Sequence, residues 1–370
     1  MGNPTEPLVQ RYIEQLLEVP KKTKAMRMPS RQQNAAQLRQ NMLDVERQAQ
    51  LARQAGSAAR AQFSEFTQAH LHDLVAELLV LRLSHADVAA GQLFNLGDEF
   101  PAVLDALSAR ALTLTQLEAV IQPVSWLKDD LFRLVNQPAH RPASGQMVKE
   151  LKTALGLLGI ETLQQLIPVY ALRRCLPHAT DPFPPFKHRL WEHSLAVALA
   201  ARRLAQEQGA NPFVCFCSAL FQHLGYFAIT RTYLRTYAEV KQQALLAARD
   251  DRDQELTDVI DALDADAGFL ISCFEEFAPT LCADLLARWN LKRLPLAQVL
   301  DQIGAGTSFS RSHVNAQVVL QAWYFVGSRY LKQQQLLSDD EDLFWRSHVQ
   351  LSEPAFHILL QTPLNKLNTI

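Results

Sequence analysis

His188-Arg189-Leu190-Trp191-Glu192-His193-Ser194-Leu195-Ala196-Val197-Ala198 is the stretch on which the fold turns. It runs on through Leu199-Ala200-Ala201 to Gly209, with alanine and leucine dominating and no alternation of β-branched residues. That texture predicts one helix from His188 to Gly209. It is apolar nearly all round, so it belongs inside the molecule, and His193 goes in with it. Thirty residues on, Ala219-Leu220-Phe221-Gln222-His223-Leu224-Gly225 lies in a second predicted helix, Pro212 to Arg231. His223 can meet His193 across that pair.

Outward from this centre the same helical texture covers the chain. Period-two strands and Asn-Gly or Asp-Gly hairpin turns are missing from the sequence, so the expected class is all-α. Pro177 to Pro185 holds four prolines and reads as a rigid linker between two helical subdomains. The expected organisation is a basic helical extension over 1–91, a main domain over 92–337 and a helical tail over 338–370. The main domain divides into 92–180 and 186–337. Val148 to Leu176 reads as helical, with Gly156 and Gly159 allowing close backbone approach. Val319, Leu320, Phe325 and Val326 surround Trp323, and Trp191 neighbours His193, so both tryptophans are expected in the core.

Apolar residues make up 48% and charged residues 20%, enough to bury a large core. A formal net charge of −2 argues against a general polyanion binder. No membrane span is expected, and the first residues lack the apolar centre of an export signal. Five cysteines, an odd number in a chain this large, suit a reduced cytoplasmic setting. Cys215 and Cys217 read as buried thiols, since no second ligand pair is spaced to complete a zinc site.

Between Lys21 and Arg60 nine basic residues face only Asp44 and Glu46. Pro29-Ser30 opens a predicted long helix. Its apolar stripe, Leu38, Met42, Val45, Ala49 and Ala52, predicts packing on the rest of the protein or on a second copy, with a break or kink at Gly56-Ser57. Phe63, Phe66, Leu71, Leu74, Leu78 and Leu81 continue the amphipathic pattern. The arginines are spread along the helix and no aromatics interleave with them, which makes nucleic acid an unfavoured partner.

Several motifs together resemble one family. Phe100-Pro101-Ala102-Val103-Leu104 looks like its opening helix, and Leu131-Phe132-Arg133-Leu134-Val135-Asn136 like its "LLRLVN" ending, with Leu155-Gly156 following. Asp284-Leu285-Leu286-Ala287-Arg288-Trp289 looks like its "LL-x-x-W" helix, and Leu190 to Ala198 is the most specific match. Residues 93–337 thus resemble the HDOD family, the HD-related output domains of bacterial signalling proteins. Related HD hydrolases hold metal through a histidine, a His-Asp doublet and a later aspartate. Carried over by position, these fall on His193, on Gln222 and His223, and on Trp323. An amide replaces an imidazole, an imidazole replaces a carboxylate, and an indole replaces the last carboxylate.

The resemblance implies a non-catalytic bacterial signalling module that works through a protein partner, with no metal or other cofactor, since too few ligands remain to lower the pKa of a bound water. One alternative is a metal-dependent phosphohydrolase of nucleotides or cyclic nucleotides, its reduced site held by His193 and His223. Another is a nucleic-acid-associated protein using the basic N-terminal helix. A homodimer through that helix is a further expectation. His188, His178, Glu192 and Asp181 are expected at the surface.

Overall fold

The computed structural model describes residues 6–17, 44–84, 94, 96–138, 146–177 and 179–364. Among them the chain is all-α: sixteen α-helices, one short 3-10 turn and no strand. The helices are α1 (Glu6–Leu16), α2 (Asp44–Ser84), α3 (Phe100–Leu107), α4 (Leu114–Ile121), α5 (Ser125–Val135), α6 (Leu151–Leu158), α7 (Ile160–Cys175) and α8 (Pro184–Gln208). They continue with α9 (Pro212–Phe221), α10 (Leu224–Asp250), α11 (Gln254–Ala262), α12 (Ala267–Ala287), α13 (Leu296–Gly304), α14 (Val314–Gln333), α15 (Asp339–His348) and α16 (Glu353–Gln361).

The helix α8 starts on Pro184-Pro185, where missing N–H groups cost nothing, and ends at Gly209 in the left-handed region (φ 68°). Its buried alanines, Ala198, Ala200, Ala201 and Ala205, let α9 and α14 pack closely against it. Asn211 caps α9 by accepting from the Phe213 and Val214 amides. The chain then breaks at Gln222-His223 rather than running on as one helix to Arg231. The turn is held by close approach to α12: the Gly225 amide donates to Cys282 Sγ at 2.9 Å, and a Cβ there would sit 3.0 Å from that sulfur.

The motif residues turn out to be joints. Asn136 donates to the Phe132 and Val148 carbonyls and accepts from the Val148 amide, clamping the return of the chain after α5. Trp289 stands edge-on to Phe100 (5.9 Å) and Phe221 (5.4 Å), joining α3 to α9. One continuous apolar core runs from α1 through α3–α9 to α16. The final helices belong to it: Trp345, Val349, Leu351, Ala355 and Leu359 are buried. The Gln321 amide donates to the Val349 and Gln350 carbonyls and accepts from Gln208, tying α14 to the end of α15 and to α8.

Several expectations need correction. Gly159 (φ 74°) ends α6 and bends the chain by 106° into α7, so 148–176 is two helices. No break occurs at Gly56-Ser57, because α2 runs unbroken through them. Leu71, Val75, Leu79 and Leu83 form its buried face, a spacing of four, while Phe66, Leu74 and Leu81 point outward. Residues 212–250 do contain a window apolar and long enough to cross a membrane, but nearly all of it is buried inside the fold. Pro29-Ser30, Leu38, Met42 and His178 lie outside the described residues, as do the side chains of Val45, Ala49 and Ala52.

Candidate functional site

His193 on α8 and His223 at the start of α10 come together. Their rings stand edge-on, centroids 5.2 Å apart, and they are 5% and 3% exposed. Trp323 of α14 completes the group, edge-on to His193 at 6.1 Å. Gln222 sits beside them, but its amide nitrogen is spent on the Ala219 carbonyl at 2.9 Å. So the four positions carried over from the HD pattern share one neighbourhood.

A fifth residue, not singled out in the sequence, covers the site. The ring of Tyr12 lies over His193 with centroids 4.2 Å apart and 35° between planes, and is edge-on to Trp323 and Tyr330. Leu8, Tyr12, Ile13, Leu16 and Leu17 are all buried, so α1 lies lengthwise in a groove walled by α8, α12 and α14. The signal was present in the sequence as apolar residues at spacings of four, five, eight and nine. At the far end the Arg189 guanidinium donates to the Gln15 carbonyl at 2.8 Å, capping α1. Arg11 meets Glu341 of α15 at 2.8 Å and also donates to the Leu336 carbonyl.

The groove is not completely filled. A cavity of about 730 Å³ lies on one side of Tyr12, lined by Trp191, Glu192, His193 and Arg329 among others. Another of about 360 Å³ lies on the other side, lined by His223, Tyr226, Phe274, Trp323 and Trp345 among others. Trp191 and Trp323 are therefore not core residues: both are half-buried and wall these cavities. The buried face of α14 is Val318, Val319, Ala322 and Phe325, and Trp323 falls on the groove side.

The histidine pair itself is uncharged, while Glu192, Glu275, Arg189 and Arg329 stand on the cavity walls around it. Burial, reinforced by the neighbouring His223, pushes the pKa of His193 well below the ordinary histidine value. Burial alone pulls His223 down to about 3. The Tyr12 phenol is pushed well above its usual value, first by burial and then by Tyr330. His193 Nε2 and His223 Nδ1 are buried without a hydrogen-bond partner. Among the described residues, no group of three or more His, Cys, Asp or Glu side chains converges anywhere. Glu192, the nearest acid on α8, is exposed and pairs with His188 at 3.3 Å. Two neutral imidazoles, a committed amide and an indole supply no negative charge to offset a divalent ion. These residues do not fit an HD-type catalytic metal.

His188 is exposed beside Glu192, and Asp181 is exposed in the proline linker. All five cysteines are buried free thiols. Burial holds Cys215 and Cys282 near 12, so neither is a thiolate.

Comparison with known proteins supplies the family context. The model of the HDOD domain matches residues 95–294, more than half of the chain. No curated protein matches. A solved structure from Shewanella amazonensis SB2B, described as a "putative metal-dependent phosphohydrolase", is 14% identical. The alignment covers 79% of this chain and 98% of that one, with a TM-score of 0.46.

Proposed function

Because this chain belongs to the HDOD family, we propose that it is a non-catalytic regulatory module that acts by binding another protein. One observation carries this reading. Where the related hydrolases need carboxylates around a metal, this chain packs Tyr12 and Trp323 against His193 and keeps both imidazoles buried and uncharged. A water activated at neutral pH needs a metal held by several converging donors, and among the described residues no three His, Cys, Asp or Glu side chains converge here. A bacterial, cytoplasmic signalling setting goes with the family and with five reduced, buried thiols.

The test is calorimetric titration of the purified chain with Mn²⁺, Fe²⁺ and Zn²⁺, alongside hydrolysis of bis(4-nitrophenyl) phosphate and cyclic dinucleotides. The expected result is no stoichiometric binding and no turnover above buffer. Metal-dependent turnover abolished by His193→Ala would overturn the reading. The phosphohydrolase alternative has one observation in its favour, the two unpartnered nitrogens of His193 and His223. The same titration decides it.

A further inference from the structure

We propose that the groove under α1 is a docking site for an amphipathic helix of a partner protein, and that α1 is the intramolecular stand-in that occupies it. The inference rests on the non-catalytic reading above and names the partner's chemistry.

The occupant already seated there shows what the groove accepts. One face of α1 is buried, Leu8, Tyr12, Ile13, Leu16 and Leu17, while Gln10 faces solvent. An aromatic flanked by aliphatics at one turn to either side is the pattern by which a helix lies in an apolar groove. The rim adds charge selection: Arg11, next to the buried Tyr12, reaches Glu341 at 2.8 Å. A partner helix would place a basic residue at that point and an aromatic one on His193.

Three further observations argue that α1 covers the groove without being its best ligand. Cavities of about 730 Å³ and 360 Å³ remain on its two sides. Leu360, on the wall of the larger one, stays 45% exposed. Beneath α1, His193 Nε2 and His223 Nδ1 are buried without partners, a state that ordinary core packing avoids. An eleven-residue helix is also too short to persist alone in water, so displaced α1 would not compete as a preformed ligand.

The test uses the full chain and a fluorescein-labelled peptide of residues 4–18. Wild type is compared with the double variant Tyr12→Asp, Leu16→Asp, which weakens the resident helix. The variant should bind the peptide at least tenfold more tightly than wild type does, and adding Glu341→Arg should cost at least fivefold. A cooperatively melting variant that does not bind overturns the proposal. Hydrogen exchange of wild type decides independently of whether that variant folds. Amides of α1 should exchange at least a hundredfold faster than those of α8 and α14, and exchange only on global unfolding would overturn it. A wild-type dimer seen by light scattering and lost in the double variant would assign the groove to a second copy instead. Mn²⁺-dependent phosphodiester hydrolysis by the double variant would sink the non-catalytic reading, whereas absent peptide binding without hydrolysis sinks the docking inference alone.

Discussion

The ring of Tyr12 lies on the ring of His193, 4.2 Å between centroids, although the two residues are far apart in the chain. That contact puts the first helix over the residues at which an HD enzyme would do its chemistry. It also makes the accessibility of His193, and through it that of the adjoining His223, depend on one phenol.

Removing that phenol should therefore expose them. In Tyr12→Ala, His193 and His223 should react with diethyl pyrocarbonate at least ten times faster than in wild type at pH 7, since both are uncharged there and only burial protects them. Peptide mapping by mass spectrometry reads the two sites separately. Unchanged rates would mean that Tyr12 does not shield the pair.

Acid should destabilise the protein through the same histidines. Their folded pKa values lie below the unfolded value near 6.5, so the unfolded chain binds protons first as pH falls. Their contribution is complete above about pH 6.5 and is lost as pH falls below it, down to about pH 3 for His223, at up to about 1.4 kcal/mol per pH unit for each histidine. Urea midpoints at pH 7.5 and 5.0 should differ, and the difference should shrink in His193→Gln, His223→Gln. His72, half-buried and also depressed, stays as a smaller background in both proteins.

Trp323→Ala should cost about 2–3 kcal/mol in urea denaturation, below the 3–5 kcal/mol of a fully buried tryptophan. The reason is its place: half-buried, edge-on to Tyr12 and His193, with cavity on one side. A loss above 5 kcal/mol would place it in the rigid core after all.

Rebuilding the lost pattern should rebuild the affinity. Gln222→His, His223→Asp and Trp323→Asp together restore the residue types of the HD pattern. Without metal the triple variant should melt lower than wild type, because two carboxylates enter an apolar site. Millimolar Mn²⁺ should recover several degrees in the variant and leave wild type unchanged. Equal shifts in both would show that the native residues already bind the ion.

The sequence carried the class and the central pair of helices well, because alanine-rich periodicity and paired prolines act locally. That His223 could meet His193 was one alternative open to two neighbouring helices, and their rings stand 5.2 Å apart. The break between them was not legible: nothing local at Gln222-His223 stops a helix, and Cys282, sixty residues on, holds the turn. The face that α2 buries differs from the amphipathic stretch Phe63, Phe66, Leu71, Leu74, Leu78 and Leu81, because its neighbours bury Leu71, Val75, Leu79 and Leu83 at a strict spacing of four and leave Phe66, Leu74 and Leu81 outward. The place of Tyr12 is illegible for a different reason. An amphipathic turn of eleven residues announces that it will pack, but only the assembled groove says upon what.

Order of synthesis gives the groove a history. Arg11 and Glu341 are separated by 330 residues. A ribosome adding about 5–20 residues per second delivers α1 roughly fifteen seconds or more before the last wall of its berth exists. Throughout that interval Leu8, Tyr12 and Leu16 have nowhere to bury. A nascent chain, or one cut short before α15, would thus present the apolar face of α1 to chaperones and proteases, and docking of α1 would mark the moment at which α15 has been made.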